Sequence, residues 1–171
     1  MKGRTASALA IAALALFGAF GQARHPGSPG TLAPEVALPD ERGQLVRLSE
    51  RKGHVVLVDF WASWCPPCKV SFPKLDALYR EFHARGLEVL AVNVDERRRD
   101  ADQFLQAHSH AMPVLFDPKG EVPEAFAVRG MPTSVLVDRA GVIRFTHAGY
   151  TEKTVDAFRQ EIERLLGEGQ P

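Results

Sequence analysis

Two largely apolar runs, at 54–60 and 87–94, stand out along the chain. Both are rich in valine, and they predict central strands of a sheet that is covered on both faces. Between them, apolar residues recur every three or four positions, which predicts a helix over 65–85 that stops at Gly86. The apolar stripe of this helix consists of Phe72, Leu75, Leu78 and Phe82.

Shorter segments complete the pattern on either side. Segments 35–38 and 44–48 flank a polar turn and predict a small N-terminal hairpin. After the second apolar run, the pattern predicts a helix capped by Asp100, a strand, a short helix, a strand hairpin and a last helix capped by Thr151. These elements are predicted at about 100–110, 113–116, 121–128, 133–137, 142–146 and from 151 onward. Strands that alternate with helices predict an α/β fold, a mixed sheet with helices on both faces.

The first 23 residues have the order of an export signal. Lys2 and Arg4 precede an uncharged, mostly apolar run at 5–23. The run ends with the small residues Gly21 and Ala23, at the positions that a signal peptidase reads. Because this run is long enough to span a membrane, a cleaved signal peptide and an uncleaved anchor both remain open. The basic start predicts export to the periplasm, as a soluble protein or one anchored to the inner membrane. Residues 24–34, rich in proline and glycine, are predicted to be a flexible tether before a single domain at 35–171.

Composition and charge narrow the function classes. The chain of 171 residues has 21 basic and 21 acidic side chains, so its formal net charge is zero and nothing predicts a nucleic-acid partner. Its two cysteines, Cys65 and Cys68, are too few for a disulfide-stapled scaffold. In an exported protein, a single C-x-x-C motif needs a reductant partner or acts as an oxidant.

The motif Cys65-Pro66-Pro67-Cys68 directly follows a predicted strand and opens a predicted helix. Because a helix N-terminus stabilises negative charge, Cys65 is predicted to be the nucleophile and to be partly exposed. Cys68, one turn later, is predicted to be the buried thiol that resolves the mixed disulfide. The two prolines supply no N–H donors, which favours a reducing centre. A purely structural disulfide would stabilise the fold little, because it closes so short a loop. A zinc site would need two further ligands, and no pair of histidines with zinc-ligand spacing follows the cysteines, so no metal site is predicted.

Acidic residues have two predicted roles. Asp59 lies within the first apolar run, where burial raises a carboxyl pKa, so it is predicted to accept the proton of Cys68. The alternative is a partly wet residue at the end of the strand. Three arginines at 97–99 are predicted to form a solvated loop, neutralised by Asp95, Glu96 and Asp100.

Two stretches of the chain resemble a known family. Residues 58–69, which read VDFWASWCPPCK, look like the active-site segment of thioredoxins, and residues 130–133, which read GMPT, are similar to their cis-proline loop. With the export signal, the hairpin and an extra segment at about 100–120, residues 35–167 resemble the exported thioredoxin-like thiol-disulfide oxidoreductases of the TlpA/ResA-like family. The resemblance implies a thioredoxin fold with an N-terminal hairpin and a central insertion.

The resemblance also implies a substrate-binding surface. In such proteins the proline that matches Pro132 is cis and packs against the disulfide, and the residue before it, here Met131, offers its backbone to an extended substrate. Trp64 and Pro66, beside the nucleophile, are predicted to complete this surface. Many ResA-like members have a glutamate where this chain has Ser71, which leaves Asp59 as the carboxylate predicted at the site.

The function that the resemblance implies is reduction of protein disulfides, in cytochrome c maturation or a related form of thiol maintenance. No cofactor besides the Cys65–Cys68 disulfide is expected. The expected partners are protein thiol and disulfide clients, and a membrane electron donor of DsbD/CcdA type.

Three alternatives stay open at this point. A Cu(I)-binding or copper-site assembly module could use Cys65, Cys68 and Met131 as soft ligands. A peroxidase of peroxiredoxin type is disfavoured because Ala62 stands where its T-x-x-C motif has threonine. An oxidant of DsbA type is disfavoured because the segment between the two motifs is short for the helical domain of such proteins.

Overall fold

The two apolar runs form adjacent parallel strands in the middle of a five-stranded sheet. The structure is a computed structural model and describes residues 27–168, so the signal or anchor predicted at 1–23 lies outside the described residues. The strands are β1 (Ala37–Pro39), β2 (Leu45–Arg47), β3 (Val55–Trp61), β4 (Leu87–Asn93), β5 (Val114–Phe116), β6 (Thr133–Val137) and β7 (Ile143–Ala148). The helices are α1 (Pro66–Phe82), α2 (Arg98–Ala107), α3 (Glu121–Ala125) and α4 (Glu152–Gly167).

The main sheet is mixed, with the strand order β5-β4-β3-β6-β7. Strand β3 runs parallel to β4 and antiparallel to β6, while β1 and β2 form a separate antiparallel hairpin. The predicted α/β fold, with its hairpin and mixed sheet, is therefore confirmed. The segment between β4 and β5 contains α2, which is the predicted central insertion.

Alternate residues of β3 enter two separate cores, because successive side chains of a strand point to opposite faces. Val55, Leu57 and Trp61 belong to one core together with residues of α1, α2 and α4. Val56, Val58 and Phe60 belong to the other core, with residues of α3 and residues that flank the hairpin. Every residue of β3 is buried, as the apolar run predicts.

Several helix boundaries differ from their predictions, and α2 ends at Ala107 rather than near 110. Helix α2 begins at Arg98 rather than Asp100, and Asp100 lies in its first turn, where it accepts a hydrogen bond from Arg97. The predicted helix at 65–85 is α1 followed by a 3₁₀ turn, His83–Arg85, and it ends at Gly86 with a φ of 101°. Helix α3 ends at Ala125, three residues early. Thr151 is the N-cap residue of α4, as predicted, and its amide donates to Thr154 Oγ1 over 3.0 Å.

Part of the predicted tether is fixed to the domain instead of being flexible. The Gly30 amide donates to the Ile143 carbonyl over 2.7 Å, and the Ile143 amide donates to the Thr31 carbonyl over 2.9 Å. The Ala33 amide completes this short ladder on the Gly141 carbonyl. Proline and glycine composition does not reveal such pairing, because it depends on the edge strand β7. Within residues 27–168, no helix has the length and apolar character needed to cross a membrane.

Asp76 of α1 holds the segment that follows α2. Its carboxylate accepts hydrogen bonds from the amides of Ala111 (2.6 Å) and Met112 (3.0 Å) and pairs with Arg80. Burial raises the pKa of Asp76, but these hydrogen bonds outweigh it, so the pKa lies below its usual range. The ionised carboxylate therefore stabilises the fold above about pH 4, and this stability is lost as the pH falls through the lowered pKa.

Replacing Asp76 by alanine is expected to lower the free energy of unfolding by about 2–4 kcal/mol, because two amides lose a charged acceptor. Denaturant unfolding at pH 7 measures the loss, which should shrink toward pH 3. The matched control is Asp102→Ala, which removes an exposed ion pair with Arg98 and should cost less than about 1 kcal/mol. Equal losses in the two variants would contradict the anchoring role.

Candidate active site

Cys65 and Cys68 form a disulfide at the start of α1. Cys65 is the N-cap residue, and its sulfur accepts a hydrogen bond from the Cys68 amide over 3.3 Å. Pro66 and Pro67 occupy the first two helical positions, where neither has an N–H to offer. The Cys68 amide is thus the first donor of the helix that can reach the Cys65 sulfur.

The two sulfurs are both well covered. Cys68 is fully buried, and 3% of the surface of Cys65 is exposed. The prediction of a partly exposed nucleophile is therefore wrong in degree, although Cys65 is the more accessible of the pair. Both residues pack into the core that α1 shares with Trp61 and Phe72. Ser71 is also buried, and its hydroxyl donates to the Cys68 carbonyl over 3.1 Å.

Asp59 lies in β3 with 1% of its surface exposed, so the alternative of a partly wet carboxylate is wrong. Strand alternation places it on the same sheet face as Leu57 and Trp61, which is the face that Cys68 covers. Burial raises the pKa of Asp59 to about 7, and a hydrogen bond from Ser134 Oγ (2.5 Å) opposes part of the rise. A carboxyl with this pKa can both accept and release a proton near neutral pH.

Asp95, two residues after the end of β4, has a role that the sequence pattern does not indicate. The prediction that Asp95 neutralises the arginines at 97–99 is wrong, because Asp95 is buried and those arginines pair with Asp100 and Asp102. Its carboxylate accepts hydrogen bonds from the Ser63 amide (3.1 Å), the Ser63 hydroxyl (3.0 Å) and Asn93 Nδ2 (2.8 Å). Ser63 lies two residues before Cys65, so Asp95 fixes the turn that carries the thiols. The carboxyl ends of the parallel strands β3 and β4 meet here, which is the signal that could have found it.

The loop at 130–133 leads into β6, the neighbour of β3. The Met131–Pro132 peptide bond is cis, as the resemblance implies, and Pro132 is buried. The Pro132 carbonyl accepts a hydrogen bond from the Gly149 amide over 2.8 Å, and the Thr133 hydroxyl donates to the Gly130 carbonyl over 2.7 Å. Met131 is half-buried and contacts both cores.

A groove connects this loop to the beginning of α2. Met131, Arg129 and Glu96 line one end, and Val94 and Glu96 continue it toward Trp64. The indole of Trp64 stands over the groove with 66% of the residue exposed, which is unusual for so large an apolar side chain. Trp61, by contrast, is buried against aromatic rings and serves packing.

The groove ends between α1 and α2. Trp64, Lys69, Arg97 and Phe104 line this end. Of the predicted substrate-binding residues, Met131 and Trp64 thus line neighbouring parts of the groove, which are joined at Val94 and Glu96. Pro66 is exposed at the start of α1, directly after the nucleophile.

Comparison with known proteins agrees with this geometry. Residues 28–162 match the Redoxin family. The chain is 31% identical over 162 residues to thiol-disulfide oxidoreductase ResA of Halalkalibacterium halodurans, covering 92% of each chain. It is 33% identical to the ResA of Bacillus subtilis, covering 80% of this chain and 76% of that one.

The chain belongs to the redoxin family. Within it, the chain groups with the TlpA/ResA-like proteins, and it is a thiol-disulfide oxidoreductase whose redox centre is the Cys65–Cys68 pair.

Solved structures of this family share the fold. A crystal structure from Chlorobium tepidum, assigned as thiol:disulfide interchange protein DsbE, is 43% identical and superposes with a TM-score of 0.79, covering 82% of this chain and 99% of that one. The exposed lipoprotein thioredoxin Etrx1 of Streptococcus pneumoniae is 32% identical with a TM-score of 0.68, covering 77% and 100%. The predicted thioredoxin fold is therefore confirmed.

Replacing Asp95 by alanine is expected to slow thiol-disulfide exchange by between about tenfold and a hundredfold, because the turn before Cys65 loses its anchor and the sulfur loses its fixed position. Stopped-flow reduction of a disulfide peptide by the reduced protein measures the rate. The control is Asp102→Ala, which removes an exposed ion pair with Arg98 away from the groove and leaves the Ser63 bonds in place. If the two variants react equally fast, the Ser63 turn does not need Asp95.

Proposed function

We propose that this oxidoreductase reduces disulfide bonds in other proteins, with the Cys65–Cys68 dithiol as its two-electron centre and no further cofactor. The observation that carries the proposal is the pairing of a disulfide at the N-cap of α1 with a buried carboxyl, Asp59, on the same face of the sheet. The dithiol supplies two electrons and the carboxyl handles the proton.

In the first step, the Cys65 thiolate attacks one sulfur of the substrate disulfide. A Cys65–substrate disulfide forms, the substrate S–S bond breaks, and the first substrate thiolate leaves. The amide of Cys68 and the N-terminus of α1 stabilise negative charge on the Cys65 sulfur. Since the two prolines remove the other first-turn donors, this stabilisation is limited, which supports a reducing direction.

In the second step, Cys68 gives its proton to the Asp59 carboxylate and attacks the Cys65 sulfur. The Cys65–Cys68 disulfide forms, the mixed disulfide breaks, and the second substrate thiolate leaves. The protein loses two electrons to the substrate, and each released thiolate takes up a proton from water. Asp59 suits this step because its pKa of about 7 lets it accept a proton at neutral pH and release it afterwards.

Substrate binding is assigned to the groove beside the disulfide. An extended peptide would pair its backbone with Met131 next to Pro132 and would rest its side chains against Trp64 and Pro66. The groove supports this role because it is open, runs from the cis-proline loop to α2, and exposes Trp64.

Export and electron supply complete the proposal. The basic start and apolar run at 1–23 support export to the periplasm, where the protein would be soluble or anchored to the inner membrane. A disulfide formed there needs a membrane reductant, for which a protein of DsbD/CcdA type is proposed. Apocytochrome c disulfides are the proposed substrates, although Ser71 cannot act as the acid that many ResA-like proteins carry at its position.

Replacing Cys68 by serine is expected to trap the mixed disulfide, because nothing then displaces the substrate from Cys65. Incubation with a disulfide-bonded peptide that spans a C-x-x-C-H sequence should yield a covalent adduct, which non-reducing mass spectrometry detects. The paired Cys65→Ser variant should form none. An adduct on Cys68 alone would reverse the assigned roles.

Replacing Asp59 by asparagine is expected to slow the second step by about tenfold to a hundredfold between pH 6 and 8, because the proton acceptor is lost. Ser134→Ala is the matched variant. It keeps the carboxyl but removes the bond that lowers its pKa, so the pH profile should move upward instead of disappearing. An Asp59→Asn rate equal to that of the parent across this range would refute the assignment.

The same variant has a stability signature. With a pKa of about 7 in the folded chain and 3.8 as its ordinary value, Asp59 binds its proton more tightly when folded, so its ionisation removes stability as the pH rises from about 4 to 7. Asp59→Asn should therefore gain stability relative to the parent across that window and keep the gain above it. Denaturant unfolding of both oxidised proteins at pH 5 and pH 8 measures the difference.

A further inference from the structure

A row of polar side chains crosses three strands of the sheet from Asp59 toward solvent. Asp59 of β3 lies opposite Ser134 of β6, and Ser134 lies opposite His147 of β7. Ser134 Oγ donates to Asp59 Oδ1 over 2.5 Å. At the far end, His147 Nε2 lies 2.8 Å from Glu161 Oε2 of α4.

The members of this row share one face of the sheet. Directly opposed residues on neighbouring antiparallel strands point the same way, with Cβ atoms about 4.5–5.5 Å apart. The surroundings agree, since His147 meets Phe158 of α4 edge-on, with 5.0 Å between the ring centroids. Phe158 belongs to the same core as Cys68.

The row offers a route for the proton that Asp59 must release in the catalytic cycle. Asp59 must return its proton to water in every turnover, yet it is almost completely buried. On the β4 side its neighbour is Ala91, which has no group that can carry a proton. On the β6 side the neighbour is the hydroxyl of Ser134, itself buried, and the next residue is His147, whose side chain is 25% exposed.

We propose that Ser134 and His147 form the proton exit of Asp59, so that His147 is a positioning and relay residue of the thiol-disulfide cycle although it touches neither sulfur. This inference rests on the proposed role of Asp59. In the structure the Ser134 hydroxyl donates to Asp59, and Ser134 and His147 are linked only by their opposed positions on β6 and β7. After Asp59 has taken the proton of Cys68, the relay therefore requires the Ser134 hydroxyl to rotate toward His147, so that Asp59 passes one proton to Ser134 Oγ while the Ser134 hydroxyl proton moves to His147. His147 then releases a proton to water, so one proton leaves and no electrons move.

The groups that face the row are few among residues 27–168. From α1 the row faces Cys68, which is the proton source, and from α4 it faces Glu161. Because Glu161 occupies Nε2 of the imidazole, Nδ1 is the nitrogen left for exchange. Glu161 therefore holds the ring in one orientation rather than supplying the proton.

The test is single-turnover reduction of a disulfide peptide at pH 7, in a dilute buffer without imidazole. His147→Gln is expected to slow the second step by about tenfold, less than the roughly hundredfold or more of a general acid or base at the reacting atoms, because His147 acts through Ser134 and Asp59. Added imidazole should restore the rate by carrying the proton in place of the side chain, a response that a merely structural defect would not show. Glu161→Gln keeps the histidine and should slow the step less.

The control is His83→Gln, another histidine beside a carboxylate, 3.6 Å from Glu88, which is not part of the row. It should react like the parent with and without imidazole. If His147→Gln does not fold, Ser134→Ala carries the test: the plateau of its pH profile should lie below that of the parent and imidazole should not restore it, whereas a plateau equal to that of the parent would overturn the relay.

Asp59→Asn in the same assay separates the two proposals. A slow Asp59→Asn beside a His147→Gln that matches the parent would overturn the relay and leave the role of Asp59 intact. An Asp59→Asn that matches the parent would overturn both. A His147→Gln that is slow but does not respond to imidazole would show a structural effect and would also overturn the relay.

Discussion

The turn from β3 into α1 is the constraint on which the site depends. Within four residues the chain must leave a strand buried on both faces and place a thiol at the N-cap of a helix. Asp95 makes this possible because its carboxylate accepts both hydrogen bonds that Ser63 can donate. The carboxylate is itself held by Asn93 at the end of β4, so the position of Cys65 is tied to the pairing of two central strands.

The second feature is a carboxyl where the core would favour an apolar side chain. Burial of Asp59 destabilises its charged form, and the hydrogen bond from Ser134 offsets only part of that effect. The result is a buried carboxyl with a pKa of about 7 on the sheet face that the disulfide covers. This arrangement destabilises the fold, and a core with only a structural role would not keep it. Its cost to stability and its proposed use in catalysis come from the same burial.

The sequence predicted what depends on local pattern. The apolar runs gave the central strands, the prolines and spacing gave the redox motif, and a charge inside an apolar run marked Asp59. What it could not predict depends on pairing between distant segments. The sequence suggests an ion pair between Asp95 and the arginines that follow it, because only sequence neighbours can be recognised as partners there. The residue that Asp95 binds, Ser63, lies 32 positions away.

The row from Asp59 to His147 has the same origin. Ser134 and His147 are ordinary residues of two strands, and only the register of β3, β6 and β7 sets them in line. The edge strand β7 also fixes residues 30–33, which composition alone had suggested were a free tether.

In the proposed cycle, electrons and protons use different parts of this molecule. The groove assigned to the substrate has lining residues from the ends of β3 and β4, the cis-proline loop and α2. The proposed proton exit runs under the sheet face to β7 and α4, and it shares no residue with that groove. A bound client can therefore cover Trp64 and exclude water from the sulfurs while His147 remains open to solvent. Such separation lets the second step proceed before the client leaves, which a single opening for both would prevent.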